Sequence, residues 1–231
     1  MQLFHGSPQV VRHPSLCAGK PDNDYGRGFY CTRDSELAKE WACKSGRDGF
    51  LNAYSFDEAD LQTLDLLDGT HSVLEWIALL LRHRTFDLDS DLAVQAREYL
   101  IAHFAPNLHG VDVVIGYRAD DSHFSFAESF VSNGLPLRGL GRAMRLGRLG
   151  VQVVLTSERA FSRIGFERAE LVAARDHYQR LKSRDERARR QWREEVRVSG
   201  TFRDDLFVMD IIRGEVTNDD PRVRRAVSGR S

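Results

Sequence analysis

Two short stretches near the N-terminus carry residue types that suit the binding of a flat, polar ligand. LFHGSP places the imidazole of His5 beside a bare glycine backbone and a hydroxyl. In DYGRGFYC, Gly26 and Gly28 permit positive φ and let a ligand approach the backbone closely, and Tyr30 follows at once. Trp41 comes about three helical turns later. The tyrosine and the tryptophan could clamp a flat ring between them, or they could fill the core between a strand and a helix.

The elements that must position these residues are short strands and amphipathic helices, a pattern that predicts an α+β fold. Apolar residues alternate in short β-branched or aromatic runs and recur at helical spacing in longer segments. The predicted strands are 2–5, 29–32, 50–56, 111–117 and 152–156, and the predicted helices are 34–44, 72–84, 89–103, 124–132, 135–149 and 157–164. Residues 167–198 carry a sparse apolar stripe among many charges, which predicts one long charged helix.

The composition predicts a globular protein and argues against several other classes. Hydrophobic residues make up 42% of the 231 residues, which is enough for an ordinary core. The formal net charge of −1 gives no global reason to expect nucleic acid as a partner. No apolar run approaches the roughly 18 residues of a membrane span, and MQLFHGSPQ lacks the pattern of a secretory signal. With three cysteines and no CxxC pair, these features predict a cytoplasmic protein that contacts no membrane and holds no metal.

Taken in order, LFHGS and YGRGFYCT resemble the first two motifs of the diphtheria-toxin-like ADP-ribosyltransferases, which poly-ADP-ribose polymerases share. Within that superfamily the chain is closer to the bacterial DUF3990 family, through PDNDYGRGFYCT, LEWIALLLRHR, VDVVIGYRADD and GVQVVLTSERAFSRIGF. The resemblance covers residues 2–200. It implies a split, mostly antiparallel two-sheet core with flanking helices and a C-terminal helical appendage. The segments expected from it are an NAD-binding domain over 1–166, the appendage over 167–215 and a flexible basic tail over 216–231.

The resemblance also implies a role in NAD binding for each motif residue. His5 would hydrogen-bond the adenosine-side ribose, and the backbone of Gly6 would hold the nicotinamide carboxamide. Tyr30 would stack on the nicotinamide ring, and Trp41 lies where the family often has a second aromatic residue. Ala38 lies where poly-ADP-ribose polymerases carry a serine that bonds the carboxamide, so that hydrogen bond is missing here. The other residues expected to bind NAD are Ser7, Arg27 on the pyrophosphate side, Gly28 and Asp120.

The third motif departs from the family pattern. A glutamate usually begins the late strand, where it contacts the 2′-OH of the nicotinamide ribose and often activates the acceptor. Here the residue is Gln152, which gives an H-Y-Q set with His5 and Tyr30. An amide accepts a hydrogen bond from that hydroxyl but cannot take a proton. Either the acceptor needs little activation, or another carboxylate takes its proton. Asp120 and Asp121 are the best candidates for that carboxylate, with Asp121 as the catalytic residue. Such residues also cap helices and form turns.

These features together predict an NAD-dependent mono-ADP-ribosyltransferase that uses NAD as co-substrate and no metal. The resemblance further suggests a bacterial toxin that modifies a protein or a nucleic acid in its own cell, with an antitoxin protein as a further partner in a toxin–antitoxin pair. Two alternatives are an NAD glycohydrolase and a non-catalytic module that binds NAD or ADP-ribose. Four arginines could face a phosphate-bearing target or form a solvated helix face: Arg138, Arg142, Arg145 and Arg148.

Overall fold

The computed structural model describes residues 1–119, 121–144, 150–199 and 205–223. The chain forms two compact units, each assembled from three separate stretches. Unit 1 comprises Met1–Asp65, Leu108–Arg118 and Gly150–Arg184, and unit 2 comprises Leu66–Asn107, Ala119–Leu149 and Asp185–Ser231. Both β-sheets belong to unit 1, and the fold is α+β with two sheets, as the sequence predicts.

The first sheet has three antiparallel strands in the order β1–β3–β7. Strand β1 is Gln2–Ser7, β3 is Gly49–Phe56 and β7 is Ile164–Val172. β1 and β3 pair along their length, and β7 covers the other edge of β3 with a register shift in the middle of β3. β1 is therefore the edge strand from which His5 and Gly6 are presented.

The second sheet has four strands in the order β2–β6–β5–β4 and is mixed. The strands are Phe29–Cys31 (β2), Thr63–Asp65 (β4), Val113–Tyr117 (β5) and Val151–Leu155 (β6). β6 pairs antiparallel with β2 and β5, whereas the short strand β4 pairs parallel with β5. The β-branched start of β5 suits a buried position in the sheet, and Val113, Val114 and Ile115 are buried.

Eight α-helices lie in the described part of the chain, and none of them is long and apolar enough to cross a bilayer. They are Ser35–Ala42 (α1), Val73–His83 (α2), Asp91–Phe104 (α3), Asp121–Val131 (α4), Leu137–Ala143 (α5), Glu158–Phe161 (α6), Ala174–Ser199 (α7) and Val208–Arg213 (α8). α1 begins after Asp34, whose carboxylate accepts hydrogen bonds from the N–H groups of Glu36 and Leu37. Asp34 is thus the N-cap of α1.

The apolar face of α1 packs on the first sheet. Ala38 and Ala42 join a buried cluster with Phe4, Leu51 and Ala53. Small side chains at helical spacing allow the helix to approach the sheet closely. This packing fixes α1, which carries Trp41, next to the strand that carries Gly6.

Unit 2 has a separate apolar interior. A capping box of Ser72 and Glu75 begins α2, and the apolar side chains from Leu74 to Leu81 are buried. Elsewhere in unit 2, the indole ring of Trp192 lies 5.0 Å from the ring of Phe126, and Arg138 pairs with Asp205 at 3.3 Å.

The long charged helix begins later than the sequence predicts. Residues 164–172 form strand β7, and helix α7 starts only at Ala174. The residues ERAEL favour a helix by intrinsic propensity, but the strand is decided by pairing with β3 over its whole length. The stretch 167–172 is therefore part of the first sheet and not of a helical segment. The predicted helix over 157–164 is also shorter, a single turn over Glu158–Phe161.

Candidate functional site

Strands β1 and β2 meet at one pair of backbone hydrogen bonds. Phe4 N donates to Thr32 O at 2.8 Å, and Thr32 N donates to Phe4 O at 2.9 Å, in an isolated antiparallel bridge. Because backbone direction alternates along a strand, the N–H and C=O of Gly6 lie on the same edge of β1 as those of Phe4. By the same rule, the N–H and C=O of Tyr30 lie on the same edge of β2 as those of Thr32. Gly6 and Tyr30 therefore border the gap beyond this bridge, which we call the β1–β2 opening.

The imidazole of His5 is fixed beside this opening. Its Nδ1 donates to the carbonyl oxygen of Tyr30 at 2.7 Å, because a carbonyl oxygen can only accept. The ring is half-buried and lies 4.5 Å from the ring of Phe29. Burial lowers the pKa of His5 and outweighs the hydrogen bond to Tyr30, which acts in the opposite direction. This direction of the pKa shift favours the neutral imidazole at neutral pH, and with Nδ1 donating, Nε2 is then a hydrogen-bond acceptor.

Gly6, Tyr30 and Gln152 share the face of the strands on which α1 lies. A Cβ on Gly6 would come within 1.9 Å of Ala38 O, so α1 crosses directly over this glycine. Phe4 and Thr32 are paired, so their side chains lie on one face, and Gly6 and Tyr30, each two residues away, have the same orientation. Tyr30 pairs with Val154 in β6, and Gln152, two residues away, points the same way. The structure therefore brings one residue of each predicted motif to this face, whereas the side chain of His5, which alternates with Gly6 along β1, points to the opposite face, towards Phe29.

The phenol of Tyr30 holds the preceding loop in place. Its hydroxyl donates to Gly26 O at 2.7 Å and accepts from Tyr25 N at 3.0 Å. Gly26 has φ of 78°, a left-handed conformation that favours glycine. Tyr25 is itself fixed, since its hydroxyl donates to Tyr117 O at 2.6 Å. The loop before β2 is thus tied to Tyr30 and to the end of β5.

Gln152 is buried and contacts a carboxylate. It lies in β6, between β2 and β5, and both Gln152 and Asp24 are 5% exposed. Gln152 Nε2 donates to Asp24 Oδ2 at 3.3 Å. Its Oε1 is buried and has no hydrogen-bond partner among the described residues. Because a buried acceptor left unpaired costs about 1–3 kcal/mol, this oxygen is suited to a ligand that brings a donor.

Trp41 lies on α1 and contacts a cation. The guanidinium Cζ of Arg118 is 4.9 Å from the centre of the indole ring, a cation–π distance. Arg118 N donates to Gly150 O at 3.2 Å, which places the arginine at the start of β6 near Gln152. The indole Nε1 is buried without a hydrogen-bond partner in the described part of the chain. One face of the indole is covered by Arg118, so a flat ligand would stack on the other face or displace the guanidinium.

The family of the chain can be decided by comparison with known proteins. The model of a family described as a protein of unknown function (DUF3990) matches residues 1–166. The chain belongs to the DUF3990 family. No curated protein and no solved structure matched it. The DUF3990 match contains His5, Gly6, Tyr30, Trp41 and Gln152, so these candidate residues all lie inside it, although it ends earlier than the expected residue 200.

Two of the three other residues expected to bind NAD have structural explanations in this DUF3990 protein. A Cβ on Gly28 would lie 2.6 Å from Leu155 O, so the glycine allows β2 to approach β6. Ser7 is buried and accepts a hydrogen bond from Asn52 Nδ2 at 3.3 Å. Arg27 is exposed. These contacts explain Gly28 and Ser7 without a ligand.

The side chains of the two acidic residues predicted for the third motif are outside the description. Asp120 is outside the residues that the structure describes. Asp121 begins α4 in unit 2, and its side chain is also outside the description. Of the four arginines, Arg138 and Arg142 lie on α5, and positions 145 and 148 are not among the described residues.

Asp24 is the site residue that sequence reasoning missed. In PDNDYG it is one of three polar residues typical of a turn, and only its burial against Gln152 distinguishes it. A weak signal was available, because Asp24 directly precedes the aromatic–glycine pair that opens the second motif. Among the described residues, no group of three or more His, Cys, Asp or Glu side chains could hold a metal ion.

Proposed function

We propose that this DUF3990 protein is an NAD-dependent mono-ADP-ribosyltransferase of the H-Y-Q type, with the split two-sheet core of the ADP-ribosyltransferase superfamily. The observation that carries the proposal is the hydrogen bond of 2.7 Å from His5 Nδ1 to Tyr30 O. It joins the LFHGS and YGRGFYCT stretches at one opening. Their resemblance to the first two motifs of that superfamily then concerns one site and not two unrelated segments.

The backbone of Gly6 suits a carboxamide. Gly6 presents one N–H donor and one C=O acceptor at the edge of β1 that faces the opening. The carboxamide of nicotinamide carries both a donor and an acceptor, so it can pair with this edge in both directions. Tyr30 lies on the same face and offers a ring for stacking on the pyridine. Nicotinamide is therefore the part of NAD assigned to Gly6 and Tyr30.

The neutral state of His5 suits a ribose hydroxyl. With Nδ1 donating to Tyr30 O, the other ring nitrogen accepts a hydrogen bond. An imidazolium would have no acceptor, so the burial that lowers the pKa of His5 also preserves this function at neutral pH. The adenosine-side ribose is the group assigned to His5 by the resemblance.

Gln152 is assigned to the nicotinamide ribose. When nicotinamide leaves, the bond between its ring nitrogen and the ribose C1 breaks, the electron pair leaves with nicotinamide, and positive charge develops on the ribose. The unpaired Oε1 of Gln152 can accept the 2′-OH and so fix the ribose as that charge develops. Gln152 takes no proton, so the acceptor must lose its proton to another base.

One specific observation favours a second candidate. Because an amide stands where the superfamily usually has a glutamate, the protein could bind NAD or ADP-ribose without transferring it. The burial of Gln152 in the centre of a sheet is compatible with binding alone. The toxin role, a macromolecular target in the same cell and an antitoxin partner rest on the resemblance and are part of the same proposal.

Labelled NAD separates these functions. We would incubate the purified chain with NAD labelled in the adenylate, in the presence of cell lysate, and follow both the label and nicotinamide release. Transfer puts the label on a protein or nucleic acid; hydrolysis by water gives free ADP-ribose; a binding module leaves NAD intact. The proposal expects labelled macromolecules with the wild type and none with Tyr30→Ala, whose secondary structure would be checked by circular dichroism. Intact NAD after prolonged incubation would exclude the transferase and favour the binding module.

A further inference from the structure

The orientation of the Gln152 side chain is set by its neighbour. A carboxylate accepts hydrogen bonds only, so the amide must turn its NH₂ group towards Asp24, as the 3.3 Å contact from Nε2 to Oδ2 shows. This leaves Oε1 on the other side of the amide. With the opposite orientation, two oxygens would face each other in a buried site, which is strongly unfavourable.

In this arrangement, the side-chain oxygen Oε1 of Gln152 is an unusual hydrogen-bond acceptor. Both residues are 5% exposed, and Gln152 Oε1 is buried without a hydrogen-bond partner among the described residues. Buried acceptors are almost always paired, so an exception calls for a functional explanation. Gln152 lies on the face that also carries Tyr30 and Gly6, where a ligand hydroxyl would complete the pairing.

We propose that Asp24 is a positioning residue that orients and polarises the amide of Gln152, so that Oε1 accepts the 2′-OH of the nicotinamide ribose. This inference rests on the proposed function. The pair thereby supplies the negative charge that a glutamate at position 152 would supply directly. Asp24 acts through Gln152 and does not itself contact the ribose.

The physical effect is electrostatic. A full negative charge at the donor end of an amide shifts electron density towards its oxygen, and hydrogen bonds in such a chain strengthen one another. The low dielectric of a buried site makes this effect larger than it would be in water. Positive charge that develops on the ribose as nicotinamide leaves is then stabilised by an oxygen backed by a carboxylate.

Neither Asp24 nor Gln152 gains or loses a proton in the reaction. The bond between ribose C1 and the nicotinamide nitrogen breaks, and its electron pair leaves with nicotinamide. A lone pair of the acceptor forms the new bond to C1, and the proton of the acceptor passes to solvent. The charge of Asp24 is unchanged throughout, so its effect is on the rate of nicotinamide loss more than on NAD binding.

An exchange of the two side chains tests the pair in the full-length protein. Asp24→Asn keeps the size and removes the charge, and we expect kcat for nicotinamide release to fall at least about tenfold with little change in KM. Gln152→Glu alone brings two carboxylates together, which raises the pKa of one of them and adds a new ionisation to the pH profile. The double variant Asp24→Asn/Gln152→Glu restores one amide and one carboxylate, and we expect its kcat to exceed that of Asp24→Asn.

The outcomes distinguish this inference from the proposed function. If the wild type cleaves NAD and Asp24→Asn has the wild-type kcat, the role of Asp24 is overturned and the function stands. If Asp24→Asn is impaired but the double variant is no better, Asp24 serves the fold alone and the inference also fails.

A measurement that needs no activity completes the test. The side-chain amide resonances of Gln152, assigned by their loss in Gln152→Glu, should move as the Asp24 carboxylate is titrated, and this movement should be absent in Asp24→Asn. If these resonances do not move during the titration, the contact between Asp24 and Gln152 does not form in solution. If they move but the wild type neither binds nor cleaves NAD, the contact is real, and both the proposed function and the ribose role assigned to the pair are overturned.

Discussion

At the scale of single residues, the protonation state of His5 links the fold to the site. Burial lowers the pKa of its imidazole from the ordinary value of 6.5, so the folded protein holds this group neutral. Above that value the folded and unfolded chains both carry a neutral imidazole. As the pH falls below 6.5, the unfolded chain binds a proton at this imidazole more readily than the folded chain does. The free energy of unfolding therefore decreases.

The lowered pKa of His5 predicts how the free energy of unfolding depends on pH. The free energy of unfolding in urea should be lower at about pH 5.5 than at about pH 7, and His5→Gln should reduce the difference. His83 adds to the same trend, because burial and the nearby Arg82 lower its pKa too, so the difference should shrink and not vanish. His13→Gln, which changes an exposed histidine of unit 1, is the matched control. An unchanged difference in His5→Gln would show that this imidazole is not held neutral by the fold.

The site residues also show what a sequence can and cannot predict. His5, Tyr30 and Gln152 could be predicted as candidate site residues because each lies in a short stretch that resembles a family motif. Asp24 could not, because its role depends on a contact with Gln152, 128 residues away. In the sequence it reads as a turn residue. Long-range contacts of single polar residues leave little trace in a local pattern.

At the scale of elements, α1 is the helix that positions the site. Glu40, next to Trp41, is nearly fully buried, and Arg184 of α7 binds both of its carboxylate oxygens, at 3.0 and 2.7 Å. One helical turn earlier, Arg180 contacts Glu36 at 3.1 Å, but both of these side chains are exposed. The start of α7 therefore holds α1 through one buried and one exposed ion pair.

The two pairs predict very different losses of stability. Arg184→Met leaves the Glu40 carboxylate buried without its counterion, and we expect the free energy of unfolding to fall by about 3–5 kcal/mol. Arg180→Met, the matched control in the same helix, should cost about 0–1 kcal/mol because its pair is exposed. Urea unfolding of both variants measures the difference. Equal losses would contradict the view that the buried pair fixes α1.

The elements show where propensity misleads. Strand β7 carries Glu167, Arg168 and Glu170 and leaves Leu171 64% exposed, a pattern that reads as the start of the following charged helix. As an edge strand it needs charges to discourage further pairing, so its composition is explained by its place in the sheet. By contrast, α2 was predictable because its apolar residues recur at helical spacing, and β5 because its residues form a nearly unbroken β-branched run.

At the scale of the whole molecule, the class of fold was predictable from the sequence. Alternating and helical apolar patterns give an α+β protein, and two sheets are present. The sequence suggests contiguous segments 1–166, 167–215 and 216–231, whereas each compact unit is assembled from three stretches of chain. Such assembly depends on contacts between distant segments, which periodicity does not encode. The short parallel strand β4 was missed for the same reason.

The central claim for the whole protein is that NAD binds at the face formed by Gly6, Tyr30 and Gln152. Calorimetric titration with a carbocyclic NAD analogue, from which nicotinamide cannot leave, tests it directly. We predict saturable binding by the wild type, a loss of affinity of at least about tenfold in Tyr30→Ala, and nearly wild-type affinity in Tyr30→Phe, which keeps the stacking ring and loses only the hydroxyl that holds the loop. No saturable binding by the wild type, or the same isotherm for Tyr30→Ala, would contradict the claim.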